Sequence, residues 1–277
     1  MSEPRRPGSN DPLTPFELAL RNRVPSREAL LAEGKAQTVR QRRRKQVLGA
    51  SLSTVALASM LWGIDPAWRS EDVRTAYGQR HDLQLADGSR IALNSATHLR
   101  IEQRLRSRQF ELLEGEATFT VAPGDKPFIV RSQGVAVRDI STVFNVRSDS
   151  RGVAVAVIEG AVDVSTASAG PQRLLGGQQL MPSRESLGAV AALDPASATA
   201  WQQGKLRFDG TPLREVLAEI RRYRQAPIRL ADNRLGDLRL SGEFDSAAVE
   251  SLIDLLPAVM PVMLIRGRDG SVLVSAR

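Results

Sequence analysis

Four arginines, Arg214, Arg221, Arg222 and Arg224, crowd into one short stretch late in the chain. Guanidiniums grouped on a helix face make either a docking surface for carboxylates or an ordinary solvated face, and both readings stand. Other residues able to do chemistry are sparse. There is no cysteine, so there is no disulfide, thiolate metal site or cysteine nucleophile. The two histidines, His81 and His98, lack metal-binding spacing. Each flanks a strand-like stretch and is expected to face solvent. Glu114, Glu116 and Glu159 each stand beside a glycine, which reads as turn chemistry rather than as paired catalytic acids. No Ser-His-Asp arrangement stands out. The residue inventory points away from an enzyme and calls for no cofactor and no metal.

The elements that would position these residues begin with the distribution of charge. The 277 residues carry a net charge of +7, of which residues 1–46 hold +6 (11 Lys/Arg against 5 Asp/Glu). Five cations lie in Arg40–Lys45, and the eighteen residues Val47–Ile64 carry no charge. Eighteen helical residues span about 27 Å, close to the thickness of a bilayer core. Trp62 and Trp68 stand at the far end, where indoles favour the membrane interface. Residues 47–64 are expected to form one transmembrane helix. Ala56-Leu57-Ala58 imitates a signal cleavage site and Arg43-Arg44 a twin-arginine signal. The preceding 46 residues, however, exceed a signal n-region. The basic run marks the cytoplasmic side, because Lys and Arg resist translocation. A nucleic-acid arm is disfavoured, since no aromatic residues or helix-turn-helix pattern accompany the charges. Residues 1–46 are thus a short cytoplasmic segment, and everything after residue 64 faces the other side.

Residues 77–192 alternate with period two. "HDLQLADGSRIAL" pairs Leu83 and Leu85 with Ile91 and Leu93 around Asp87-Gly88, a hairpin signal. Phe110, Leu112, Phe119 and Val121 flank Glu114-Gly115, read as a second turn. Phe128, Val130, Val135, Val137, Phe144, Val146, Val153, Val155, Val157, Val162 and Val164 continue the pattern. This is an all-β domain, a sandwich or a stack of hairpins. Residues 193–204 are small and polar and read as a linker.

From 205 to 277 the period changes. "KLRF" reads as a strand. Leu213, Val216, Leu217 and Ile220 form one helical stripe, and "APIRLA" is the next strand. Thirty-six residues on, Phe244-Asp245 repeats Phe208-Asp209, and Val249, Leu252, Ile253 and Leu256 repeat the stripe. Two tandem β-α-β units make a small α+β domain, with "SVLVSAR" as a last strand.

The segments "LADGSRIALNSATHLRI", "LLEGEATFTVA", "KPFIVRSQGVAVRDISTVFNVR" and "VIEGAVDVS" resemble, in order, the periplasmic domain of FecR-type transmembrane regulators. The tail "GKLRFDGTPLREVLAEIRRY" resembles the secretin/TonB short N-terminal-like domain. The resemblance implies a bacterial inner-membrane protein with a cytoplasmic N-terminus and periplasmic C-terminal domains. It implies two partners: an extracytoplasmic-function sigma factor inside, and the signalling domain of a TonB-dependent outer-membrane receptor outside. Uptake of ferric siderophores or haem is the process implied. The alternative is a periplasmic structural or docking module without sigma control.

Two departures follow. Family members carry a cytoplasmic anti-sigma domain of several helices, whereas 46 residues with Pro12, Pro15 and Pro25 offer one helix capped by Ser26. Either the segment folds only on a sigma factor, or the anti-sigma role is reduced or lost. Ser141-Thr142 matches a motif that is often Gly-Thr and self-cleaving through an N→O acyl shift. Ser141 adds a side chain that hinders the shift, so the pair is a candidate regulatory cleavage site expected to cleave slowly or not at all, and Thr142 also reads simply as a strand residue.

Overall fold

The computed structural model describes residues 45, 49, 54–60, 62–139, 142–183 and 186–277. The chain divides into two units, Met1–Ile64 and Asp65–Arg277. In the first, the described residues are helical, and Val55, Leu57, Met60, Trp62 and Ile64 are exposed. Among the described residues no helix is long and apolar enough to cross a membrane. Of the expected span 47–64, residues 49, 54–60 and 62–64 are described and are helical, whereas the basic segment 1–46, with its Ser26-capped helix, lies outside the described residues but for residue 45.

Among the described residues the second unit opens with thirteen strands in one curled sheet. They are β1 (Arg69–Arg74), β2 (His81–Gln84), β3 (Arg90–Leu93), β4 (His98–Gln103), β5 (Arg108–Thr120), β6 (Phe128–Ser132) and β7 (Val135–Asp139). Then come β8 (Val143–Asp149), β9 (Gly152–Glu159), β10 (Ala161–Thr166), β11 (Gln172–Leu175), β12 (Gln178–Leu180) and β13 (Ala191–Ala192). Asp87-Gly88 turns the β2–β3 hairpin, with Leu83 opposite Ile91 and Gly88 at φ +87°. Strand β1 was not foreseen. Its sequence RSEDVR is a charged, exposed edge and carries no apolar alternation to betray it.

Strand β5 is the axis of the curl. Its first half pairs with β4 and, in parallel, with β6. Its second half pairs with β3 and β8. The expected turn at Glu114-Gly115 is therefore a kink inside one 13-residue strand. Pairing on both edges satisfies the backbone without a reversal. Gly115 sits at the kink with φ +94°, and a Cβ there would collide with Thr97 Cα. Both conformation and space demand glycine. The curl encloses Phe110, Phe119, Phe128 and Phe144, with Phe110–Phe128 centroids 4.4 Å apart and Phe119–Phe144 5.1 Å apart.

Residues 193–204 are folded, not a bare linker. Asp194 caps α1 (Pro195–Thr199), and a 3₁₀ turn (Ala200–Gln203) buries Trp201 and ends on Gly204 at φ +76°. One indole anchors a segment whose other residues are small and polar. Beyond it, β14 (Lys205–Pro212) pairs antiparallel with β16 (Arg239–Asp245). Strands β15 (Ile228–Leu230), β18 (Val272–Ala276) and β17 (Val262–Arg266) form a second sheet in that spatial order. Helices α2 (Leu213–Ile220) and α3 (Val249–Val259) bury the two stripes Leu213/Val216/Leu217/Ile220 and Val249/Leu252/Ile253/Leu256. The 36-residue repeat corresponds to β14-α2-β15 and β16-α3-β17.

Candidate functional site

Alternation along β5 and β8 decides what faces the C-terminal domain. Ala117, Phe119, Phe144 and Val146 point into the curl. Glu116, Thr118, Asn145 and Arg147 are therefore on the opposite face, with Glu116 opposite Arg147 and Thr118 opposite Asn145. An outer face of this kind is ordinarily wet. Here Glu116, Thr118 and Asn145 are buried, because the segment following α2 and the 3₁₀ turn 200–203 are laid across this face.

Glu116 is the centre of this seam. Its Oε2 accepts from Arg222 Nη2 at 2.5 Å and from Asn94 Nδ2 at 2.7 Å, and its Oε1 accepts from Asn145 Nδ2 at 2.8 Å. Arg222 Nη1 donates to Glu219 Oε1 at 2.7 Å. Tyr223 OH donates to Asn94 Oδ1 at 3.1 Å, and Ser95 Oγ to the Arg222 carbonyl at 2.5 Å. Farther along, Arg80 Nη1 donates to the Trp201 carbonyl at 2.9 Å, and Gln202 Nε2 to Thr118 Oγ1 at 2.9 Å. A cavity of about 230 Å³ follows the seam, lined by Glu116, Arg147, Trp201, Lys205, Glu219 and Arg222 among others.

Burial alone would raise the Glu116 carboxyl, but the Arg222 and Arg147 guanidiniums, joined by the two asparagine amides, hold it below its ordinary value. Burial works against the Arg222 charge, and the Glu116 and Glu219 carboxylates overcome it. Burial pushes the Tyr223 phenol up. Glu116 and Arg222 are therefore a buried ion pair.

The sequence-level candidates fall in different places. The four arginines do not share one helix face. Only Arg214 lies on α2, exposed and paired with Asp237. Arg221 follows the helix and donates to the Ile228 carbonyl at 2.9 Å. Arg222 turns into the seam. Arg224 is buried, bound to Glu250 at 2.8 Å and to the Gly270 carbonyl at 2.9 Å. Arg222 and Arg224 thus serve the fold's own carboxylates, and reversing Arg222 to Glu would set a third carboxylate beside Glu116 and Glu219.

Glu116 is no turn residue. It lies in mid-strand, whereas Glu114 and Glu159 are exposed. His81 is exposed, and His98 Nε2 sits 2.7 Å from Asp72. Thr142 is buried, its hydroxyl donating to the Asp139 carboxylate and its carbonyl accepting from Val121 N at 3.0 Å. Ser141 lies outside the described residues. Sequence reasoning missed Asn94, Asn145 and Tyr223. The available signal was polar residues alternating with Phe and Val in "FNVR" and "ATFTV", but nothing local marks that face as covered.

What this seam supplies is contact between the two domains of the unit Asp65–Arg277. Residues 71–163, from β1 into β10, match the FecR protein family. Two crystal structures of a candidate anti-sigma factor from Parabacteroides distasonis are similar to this chain. The one at 2.50 Å resolution is 26% identical with a TM-score of 0.65, covering 76% of this chain and 100% of its own. The one at 1.65 Å is 27% identical with a TM-score of 0.65, covering 75% and 99%. A search of curated proteins found no match.

Proposed function

We propose that this chain is a single-pass inner-membrane regulator, relaying the state of a TonB-dependent outer-membrane receptor to an extracytoplasmic-function sigma factor that controls iron, siderophore or haem uptake. The observation that carries the reading is the FecR match over residues 71–163, standing after a basic flank and an eighteen-residue uncharged run. The likeness to a candidate anti-sigma factor supports the sigma-factor half. Five cations before residue 46 orient the N-terminus to the cytoplasm and domains 65–277 to the periplasm.

On this reading the α+β domain, which resembles the secretin/TonB short N-terminal-like domain, receives the receptor's signalling domain. Strand β17 is a sheet edge. Gly267 N bonds to Ser271 O and Arg277 N to Pro261 O, so the odd-numbered residues of β17 bond to β18. Leu264 and Arg266 then turn their backbone groups toward the free edge. Met263, Ile265 and Leu273 are exposed beside that edge. An added strand would find hydrogen bonds and apolar cover together. Arg214 and Arg221, the outward arginines, are the electrostatic contacts proposed for the same partner.

Two measurements test the reading. A reporter active only after export, fused after Arg277, is expected to be active, and a cytoplasm-only reporter working there would overturn the topology. A two-hybrid assay of residues 1–46 against the sigma factors of the same genome is expected to give one positive pair. No signal with any of them would remove the sigma-factor half.

A further inference from the structure

The two domains of the unit Asp65–Arg277 have separate apolar cores. One is built from β3–β12 and the other from residues 206–274, and no residue belongs to both. Trp201, buried along the seam, is in neither. What joins the domains is mostly polar, and polar seams between domains ordinarily allow relative motion. Yet this one buries a carboxylate. Glu116 and Arg222 expose only 7% and 12% of their side chains. If the C-terminal domain simply lifted away, Glu116 would lose its one hydrogen-bonded cation.

A second cation stands ready on the same domain. Arg147 is directly across the strand pair from Glu116. Its own ion contacts are long, 3.6 Å to Glu219 and 3.8 Å to Asp149. Its first contact belongs to the C-terminal domain and is lost on opening. Glu116 and Arg147 would then each have lost a partner, side by side on one face.

The geometry points to a two-state latch: closed, Arg222 fills a socket made by Glu116, Asn94 and Asn145, and open, Arg147 takes Glu116 in its place. The exchange keeps the carboxylate paired in both states, buried in the closed one and wetted in the open one, which brings them within reach of each other. Loss of the Arg147–Glu219 contact, of Ser95 on the Arg222 carbonyl and of Tyr223 on Asn94 favours the closed state. A partner that binds only the open C-terminal domain would shift the balance by its differential affinity. The latch belongs to the chain itself and does not depend on what that partner is.

Hydrogen exchange on the full chain in detergent micelles tests this, comparing wild type with Arg222→Gln and Arg147→Gln. Peptides over residues 94–97 and 222–224 report the seam. Peptides over β8 and α3 report whether each domain stays folded. Arg222→Gln is expected to speed seam exchange at least about tenfold, equivalent to about 1.4 kcal/mol, with β8 and α3 at wild-type rates. Arg147→Gln, which removes the open-state partner, is expected to leave seam exchange unchanged or slower. Wild-type seam rates in Arg222→Gln would overturn the latch, as would acceleration of all peptides together. Arg147→Gln speeding the seam as much as Arg222→Gln would overturn the exchange of partners. Arg222→Lys, which keeps the charge without the planar fork, is expected to fall between wild type and Arg222→Gln, and a rate at or above that of Arg222→Gln would count against the latch.

Discussion

Replacing Glu116 with alanine is expected to lower the stability of the unit Asp65–Arg277 by about 3–5 kcal/mol, the range for removing one partner of a buried ion pair. Three donors lose their acceptor at once: Arg222 Nη2, Asn94 Nδ2 and Asn145 Nδ2. Arg222 keeps Glu219, which moderates the loss toward the lower end. Glu116→Gln has nearly the same shape but one acceptor oxygen. Either the Asn145 side or the Asn94/Arg222 side then meets an amide N–H, and about 1–3 kcal/mol is expected. Urea unfolding followed by the fluorescence of buried Trp201 measures both. A loss below about 1 kcal/mol for Glu116→Ala would mean that the seam is held by its backbone contacts instead.

The same variant carries a pH signature. The Glu116 carboxyl is depressed in the folded chain, so its stabilising contribution is fully present above its ordinary value of 4.5. It is lost as pH falls through the lower folded value. The difference between wild type and Glu116→Ala is expected to be flat from neutral pH down to about 4.5 and to shrink below it. A difference that grows on acidification would contradict the assignment of a depressed carboxyl.

The second large effect concerns Thr142. Intact mass of the purified wild-type chain, held for hours, is expected to show no splitting between Ser141 and Thr142. Ser141→Gly is expected to split measurably, and adding Thr142→Ala to that variant to abolish the reaction. An N→O shift needs the threonine hydroxyl against the preceding carbonyl in a peptide unit bent out of its plane, and planarity resists such bending. Glycine accepts the geometry most easily, whereas serine adds a Cβ near the reacting carbon. In the fold the Thr142 hydroxyl is buried and already donates to Asp139. Complete splitting of the wild type at that bond would show that the fold supplies the strain whatever residue precedes Thr142.

The sequence by itself determined what depends on neighbours along the chain. Alternation around Asp87-Gly88 specified a hairpin, because side-chain direction reverses at every residue of a strand and glycine admits the turn. The stripes Leu213/Val216/Leu217/Ile220 and Val249/Leu252/Ile253/Leu256 specified two helices, because only one face can be apolar. Tertiary structure alone decided the rest. Glycine reads as a turn, yet Gly115 is a kink, because β3, β4, β6 and β8 pair with β5 on both sides of it. Residues 193–204 read as a linker, yet Trp201 finds a buried site there. Arg222 and Arg224 read as part of one basic face, yet the chain leaves α2 before reaching them and turns both inward. Above all, the seam at Glu116 was invisible. Period-two alternation fixes which face of a strand a residue occupies, but a second domain, more than one hundred residues away in sequence, decides whether that face meets water.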